Sequence, residues 1–145
     1  LRHDPRTESD LSVEADIPYR LENISGDTME LMVSIKQGVA RRYGVKVLCD
    51  QDNSKGLDVV VEPGAGSLHV GGATAPLELK DDEEIRLRIF IDRSVIEVFA
   101  NDRQAVCRRV YPTLDASVGT ALFSEGGPST ATKVKAWEMM PSNPY

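Results

Sequence analysis

Ile85-Arg86-Leu87-Arg88-Ile89-Phe90-Ile91-Asp92-Arg93-Ser94-Val95-Ile96-Glu97-Val98-Phe99-Ala100 decides the fold. Aliphatic side chains recur at every second residue on both sides of Arg93-Ser94, the period of a half-buried strand. A two-residue loop at Arg93-Ser94 pairs Ile91 with Ile96, Ile89 with Val98 and Leu87 with Ala100. All six then share one face, and a slip of one residue would turn them to water. The opposite face collects Arg86, Arg88, Phe90, Glu97 and Phe99. Glu97 falls opposite Phe90 and diagonal to Arg88, within reach of a cross-strand ion pair. Beyond Ala100, Asn101-Asp102-Arg103 reads as a tight turn, with Arg103 where a left-handed glycine would be easier.

The same period continues outward from this hairpin. Residues 28–36 set Met29, Leu31, Val33 and Ile35 against Glu30, Ser34 and Lys36, and residues 43–49 set Val45, Val47 and Cys49 against Lys46. Residues 57–62 hold the run Val59-Val60-Val61, and Pro63-Gly64-Ala65-Gly66 is a turn into Ser67–Val70. Residues 104–111, 117–123 and 130–139 are further strands. About nine or more short strands with turn residues between them predict an all-β fold, a two-layer antiparallel β-sandwich of jelly-roll or concanavalin-like form. Residues 1–12, polar and charged, read as a linker from an absent upstream domain. Residues 13–140 form the sandwich domain, and 141–145, with Pro141 and Pro144, a tail.

Composition bounds the function. The chain has 145 residues, a net charge of −6, 41% hydrophobic and 28% charged residues. That is one globular domain. Its acidity argues against nucleic acid or an anionic membrane as partner. No apolar run exceeds three residues, too short for a membrane-spanning helix or a signal-peptide core. With no targeting segment to read, extracellular and cytoplasmic residence both stay open. The first residue is Leu1, which leaves room for an upstream segment.

Most chemical signals are faint. Asp50-Gln51-Asp52-Asn53-Ser54-Lys55-Gly56 misses the spacing of a calcium loop, because glycine falls one place late and Val61 stands where a bidentate Glu is needed. Gly64-Ala65-Gly66-Ser67-Leu68-His69 lacks the last glycine and the helix of a dinucleotide loop. His3 and His69 have no partner at ligand or triad spacing. No metal or cofactor is implied. Cys49 and Cys107 are too few for a disulfide scaffold; whether they pair is open. Asn23-Ile24-Ser25 is a sequon, meaningful only in a secretory route. Trp137 could offer a sugar-stacking face, but its strand pattern favours a structural role.

The block from Leu87 to Asp102 closely resembles the Asp-Arg-Ser-x-x-Glu-Val-Phe motif in the C-terminal β-sandwich of glycoside hydrolase family 32. That family includes invertases, levanases and inulinases. The motif falls on Asp92, Arg93, Ser94, Glu97, Val98 and Phe99. Similarity continues through Arg109-Val110-Tyr111-Pro112-Thr113 and Ala121-Leu122-Phe123, then ends in Ala136-Trp137-Glu138-Met139. The resemblance implies a sandwich that follows an N-terminal catalytic β-propeller. There an aspartate nucleophile and a glutamate acid/base cleave β-fructofuranosidic bonds with retention. The family's Asn-Asp-Pro, Arg-Asp-Pro and Glu-Cys motifs have no counterpart here, since the only Asp-Pro is Asp4-Pro5 after His3. No catalytic residue is therefore assigned. The expected function is a non-catalytic domain that stabilises the propeller and helps shape its cleft. The alternative is a free-standing fructan-binding module, with Arg86, Arg88, Glu97 and Phe99 as its candidate site.

Overall fold

The structure is a computed structural model that describes residues 2–53, 55–109 and 118–139, with side chains from residue 5 onward. Among the described residues, twelve strands form two six-stranded antiparallel sheets. In chain order they are β1 (Arg2–Val13), β2 (Tyr19–Ser25), β3 (Thr28–Lys36), β4 (Arg42–Cys49), β5 (Leu57–Glu62) and β6 (Ser67–Val70), then β7 (Ala73–Pro76), β8 (Ile85–Asp92), β9 (Val95–Ala100), β10 (Gln104–Arg109), β11 (Gly119–Glu125) and β12 (Ser129–Met139). Sheet A runs β1-β12-β3-β8-β9-β10 and sheet B runs β2-β11-β4-β5-β6-β7. The expected sandwich is the observed one.

Alternation explains the layering. Leu31, Val33, Ile35, Leu87, Ile89, Ile91, Ile96 and Val98 of sheet A are buried, as are Tyr43, Val45, Val47, Val59, Val61 and Leu122 of sheet B, and all belong to one apolar core. The β8–β9 register is the one its pattern dictates: Ile91 faces Ile96, Ile89 faces Val98 and Leu87 faces Ala100. Arg93 has a φ of 53°, the sign that primed hairpin turns require at their first loop residue. Its N–H donates to Asp27 O at 2.6 Å, which ties the hairpin tip to the β2–β3 connection.

Two expectations need correction, and the open question of the cysteines is answered. Residues 2–13 are not a linker but β1, an edge strand paired with β12 from Arg2↔Met139 to Val13↔Ser129. An edge strand can be polar on most of its length because backbone pairing, not burial, holds it. Among its described side chains only Val13 is fully buried, with Leu11 packed beside the core. Arg103 is not the left-handed residue of the β9–β10 turn. Asn101 (φ 49°) and Asp102 (φ 55°) are, and the Arg103 N–H donates to Ala100 O at 2.9 Å, the pattern of a type I′ turn. Cys49 and Cys107 are free, the first buried on sheet B and the second exposed on sheet A. The expected continuation of β10 to residue 111, the residues 110–113 of the family resemblance and the tail 141–145 lie outside the described residues.

Asn101 also closes the hairpin base. Its side-chain carbonyl accepts the Arg86 N–H, and its amide donates to Glu84 O at 3.2 Å. Arg103 in turn is clamped to Glu83. Asp102→Gly should raise stability by about 0.5–1 kcal/mol, because glycine carries no left-handed penalty there. Arg103→Gly should lower it. Urea denaturation of both variants checks the pair; a stabilising Arg103→Gly would contradict this turn assignment.

Candidate functional site

The outward side of sheet A is ordered in rows by strand register. Trp137, Glu30, Phe90, Glu97 and Cys107 stand abreast across β12, β3, β8, β9 and β10, and Lys135, Met32, Arg88, Phe99 and Ala105 form the next row. Arg86 lies one row further, beside Ser34. The structure thus brings Arg88, Glu97 and Phe99 onto one surface, with Arg86 at its margin.

The contacts differ from the expected ones. Arg88 does not pair with Glu97; its Nε donates to Glu30 Oε2 at 2.9 Å, across β8 to β3. Glu30 lies directly opposite Phe90, so it is as near to Arg88 on one flank as Glu97 is on the other. Its carboxylate is only 2% exposed, and an ion paired in low dielectric interacts more strongly than one at the rim. The Arg88 guanidinium also sits 5.2 Å from the Phe90 ring centre, and Phe90 meets Phe99 edge-on at 5.9 Å. Lys135 Nζ lies 5.1 Å from the Trp137 ring centre; Trp137 is 8% exposed and Met32 39% exposed. The result is an apolar, aromatic strip around one paired arginine. Glu30, Met32 and Lys135 were missed in the sequence; their outward positions on β3 and β12 were the available signal.

Asp92, Arg93 and Ser94 form the exposed tip of the β8–β9 hairpin at one end of this face. Among the described residues no group of three His, Cys, Asp or Glu side chains could hold a metal ion. The would-be calcium loop is fastened by Asp50 itself, whose carboxylate accepts the Lys55 N–H at 3.1 Å. His69 bridges Glu62 (3.1 Å) and Thr74 (3.0 Å) on the outside of sheet B.

Acidity is perturbed elsewhere. Burial pushes the Tyr43 hydroxyl up to about 12 and the Cys49 thiol up to about 11, so both stay protonated and inert at neutral pH. The Glu83 carboxyl is lowered from 4.5 to about 2, first by the hydrogen bonds from Arg103 and then by the Lys80 N–H. These groups hold the core and a hairpin base. None belongs to the aromatic strip.

Comparison with known proteins places this domain. Residues 1–138 match the family model described as "Glycosyl hydrolases family 32 C terminal". The chain belongs to that family. It is 30% identical to the 6(G)-fructosyltransferase of Asparagus officinalis over 92% of its own length, and spans 25% of that protein. Against the raffinose invertase of Escherichia coli it is 42% identical over 42% of its length, and spans 13% of that protein. The crystal structure of fructan 1-exohydrolase IIa from Cichorium intybus superposes with a TM-score of 0.84 and 14% identity, covering 99% of this family 32 domain and 36% of that chain. The domain therefore spans about a quarter of the first of these relatives and about a third of the solved structure.

A folded-state carboxyl value below the unfolded one stabilises above the unfolded value, and that contribution fades as pH falls through the folded value. For Glu83 the window runs from about 4.5 down to about 2. Glu83→Gln should cost stability at neutral pH and flatten the acid loss across that window, as measured by thermal melting against pH. Parallel curves for both proteins would contradict the Glu83–Arg103 clamp.

Proposed function

We propose that this chain is the accessory C-terminal domain of a β-fructosidase-type family 32 enzyme, docked through the outer face of sheet A onto an N-terminal catalytic propeller. The parent reaction is retaining hydrolysis of β-fructofuranosides, or fructosyl transfer from them. Its nucleophile and acid/base belong to the propeller, since none of the family's catalytic motifs occurs in residues 1–145. The activities of the relatives, a fructosyltransferase and an invertase, support that substrate class.

The carrying observation is the strip itself. Phe90, Phe99, Met32 and Trp137 stand on the side of the sheet that faces away from the core, around an arginine already neutralised by Glu30. Aromatic anchors with a satisfied ion pair among them are what an interdomain contact of about 600–1,500 Å² uses. Chain direction agrees: β1 begins beside the end of β12, at the same end of sheet A as the Arg93-Ser94 tip. A catalytic domain preceding residue 1 would start from there. The fructan-binding alternative on this face is weaker, because the Glu30 carboxylate that pairs with Arg88 is buried out of reach of a sugar hydroxyl and Phe90 is packed against Phe99.

Phe99→Ala should cost the isolated chain little more than its Phe90 contact, about 0.5–1.5 kcal/mol. In the enzyme that contains the propeller, the same change should lower the melting temperature further and reduce sucrose cleavage. Differential scanning calorimetry of both forms, with activity, tests this; equal losses in the two and unchanged activity would count against docking by this face.

A further inference from the structure

The outward side of sheet B has a different chemistry. Across it, Phe123 of β11, Gly44 of β4, Val60 of β5 and His69 of β6 stand abreast. Gly44 is fixed by backbone approach: a Cβ there would lie 1.9 Å from Val59 O. A row with no side chain at its second position is a trough. It opens into a cavity of about 350 Å³ that includes Phe123, Val60, Arg42, Lys46, Asp58 and Glu125. The β1–β2 turn at Asp16-Ile17-Pro18 forms its rim, held by the Asp16 N–H to Ser124 O at 2.8 Å, with Ile17 56% exposed.

We propose that this trough is a binding site for a neutral saccharide, separate from the face that docks the catalytic domain. The charges at its two ends exclude an ionic ligand. At one end Arg42 is held by Glu125 at 3.2 Å and Glu62 at 3.5 Å. At the other Lys46 is held by Asp58 at 3.6 Å and by Asn53 O at 3.1 Å. An anion would have to displace a carboxylate, and a cation would have to displace Arg42 or Lys46. A hydroxyl both donates and accepts, so a vicinal diol can bridge an arginine–carboxylate or lysine–carboxylate pair without breaking it.

Two features favour occupation. Arg42 and Lys46 line the cavity and are each held by a carboxylate, so little side-chain freedom is lost when a hydroxyl bonds to them. Phe123 and Val60 provide the apolar floor against which the C–H face of a sugar ring packs. The volume lies at the small end of ligand sites, about 300–1,000 Å³, suited to one or two rings.

Heteronuclear NMR titration of the 145-residue chain with fructose, sucrose and levan oligosaccharides tests the site. At least one of these should give saturable amide shifts at Val60, Phe123 and Glu125 at millimolar concentration. Phe123→Ala and Glu125→Gln should each weaken that binding by about tenfold, as loss of a hydrogen bond to a charged group or of an apolar contact does. Glu125→Gln is isosteric and at the surface, so it keeps the test valid if Phe123→Ala perturbs folding. Phe99→Ala, on the other sheet, should leave the affinity unchanged. Three results would overturn the site: no saturable shift with any of these sugars, binding unaffected by both trough substitutions, or binding lost with Phe99→Ala. Each differs from a failure of the docking proposal, which concerns only the longer protein.

Discussion

The β8–β9 hairpin register is the constraint from which the outer surface of sheet A follows. Two residues, Arg93 and Ser94, make the loop, and the Arg93 N–H bond to Asp27 O fixes its position on the neighbouring connection. That leaves Leu87, Ile89, Ile91, Ile96 and Val98 on the core side of sheet A and Arg88, Phe90, Glu97 and Phe99 on the other. Because β3 and β12 are registered in turn on β8, Glu30 and Trp137 are carried to the same outer row. A slip of one residue would bury arginines and expose isoleucines, a change the core could not absorb.

Two outer faces with unlike chemistry result. On sheet A Arg88 and Glu30 pair with each other at the strip's centre, so the surrounding rings can lose water at little electrostatic cost. On sheet B the charges also pair, but around a gap left by Gly44 and floored by Val60 and Phe123. A protein surface can cover the first. The second is a small cavity ringed by paired charges, shaped for a hydroxylated ligand. Between them the interior carries inert polar groups such as Cys49 and Tyr43, whose raised acidity constants reflect burial.

Strands that bury one full face were legible in the sequence, since β3, β4, β5, β8 and β9 show their period plainly. Three strands were not. β1 is a polar edge that needs only backbone partners; β7, Ala73–Pro76, has no large side chain to show a period. β2 buries Leu21 and Ile24, three apart, because its pairing with β11 shifts between Gly119 and Ala121, and that irregularity erases the alternation. Of the candidate site, the sharing of a face by Arg88, Glu97 and Phe99 was readable from one hairpin. The Arg88–Glu30 pair was not, since residues 58 apart in sequence become neighbours only once β3 is docked on β8. The trough was equally hidden. Arg42, Lys46, Asp58 and Glu125 share no motif, and a mid-strand glycine at Gly44 was the one local sign.

Hydroxyl-radical footprinting of the chain, alone and joined to the proposed catalytic propeller, addresses the division of labour between the two faces most directly. Met32, Phe90 and Phe99 should be oxidised in the chain alone and protected in the longer protein, while Phe123 and Ile17 react alike in both. Protection of Phe123 and Ile17 with continued oxidation of Met32 and Phe99 would contradict it, because the covered face would then be sheet B.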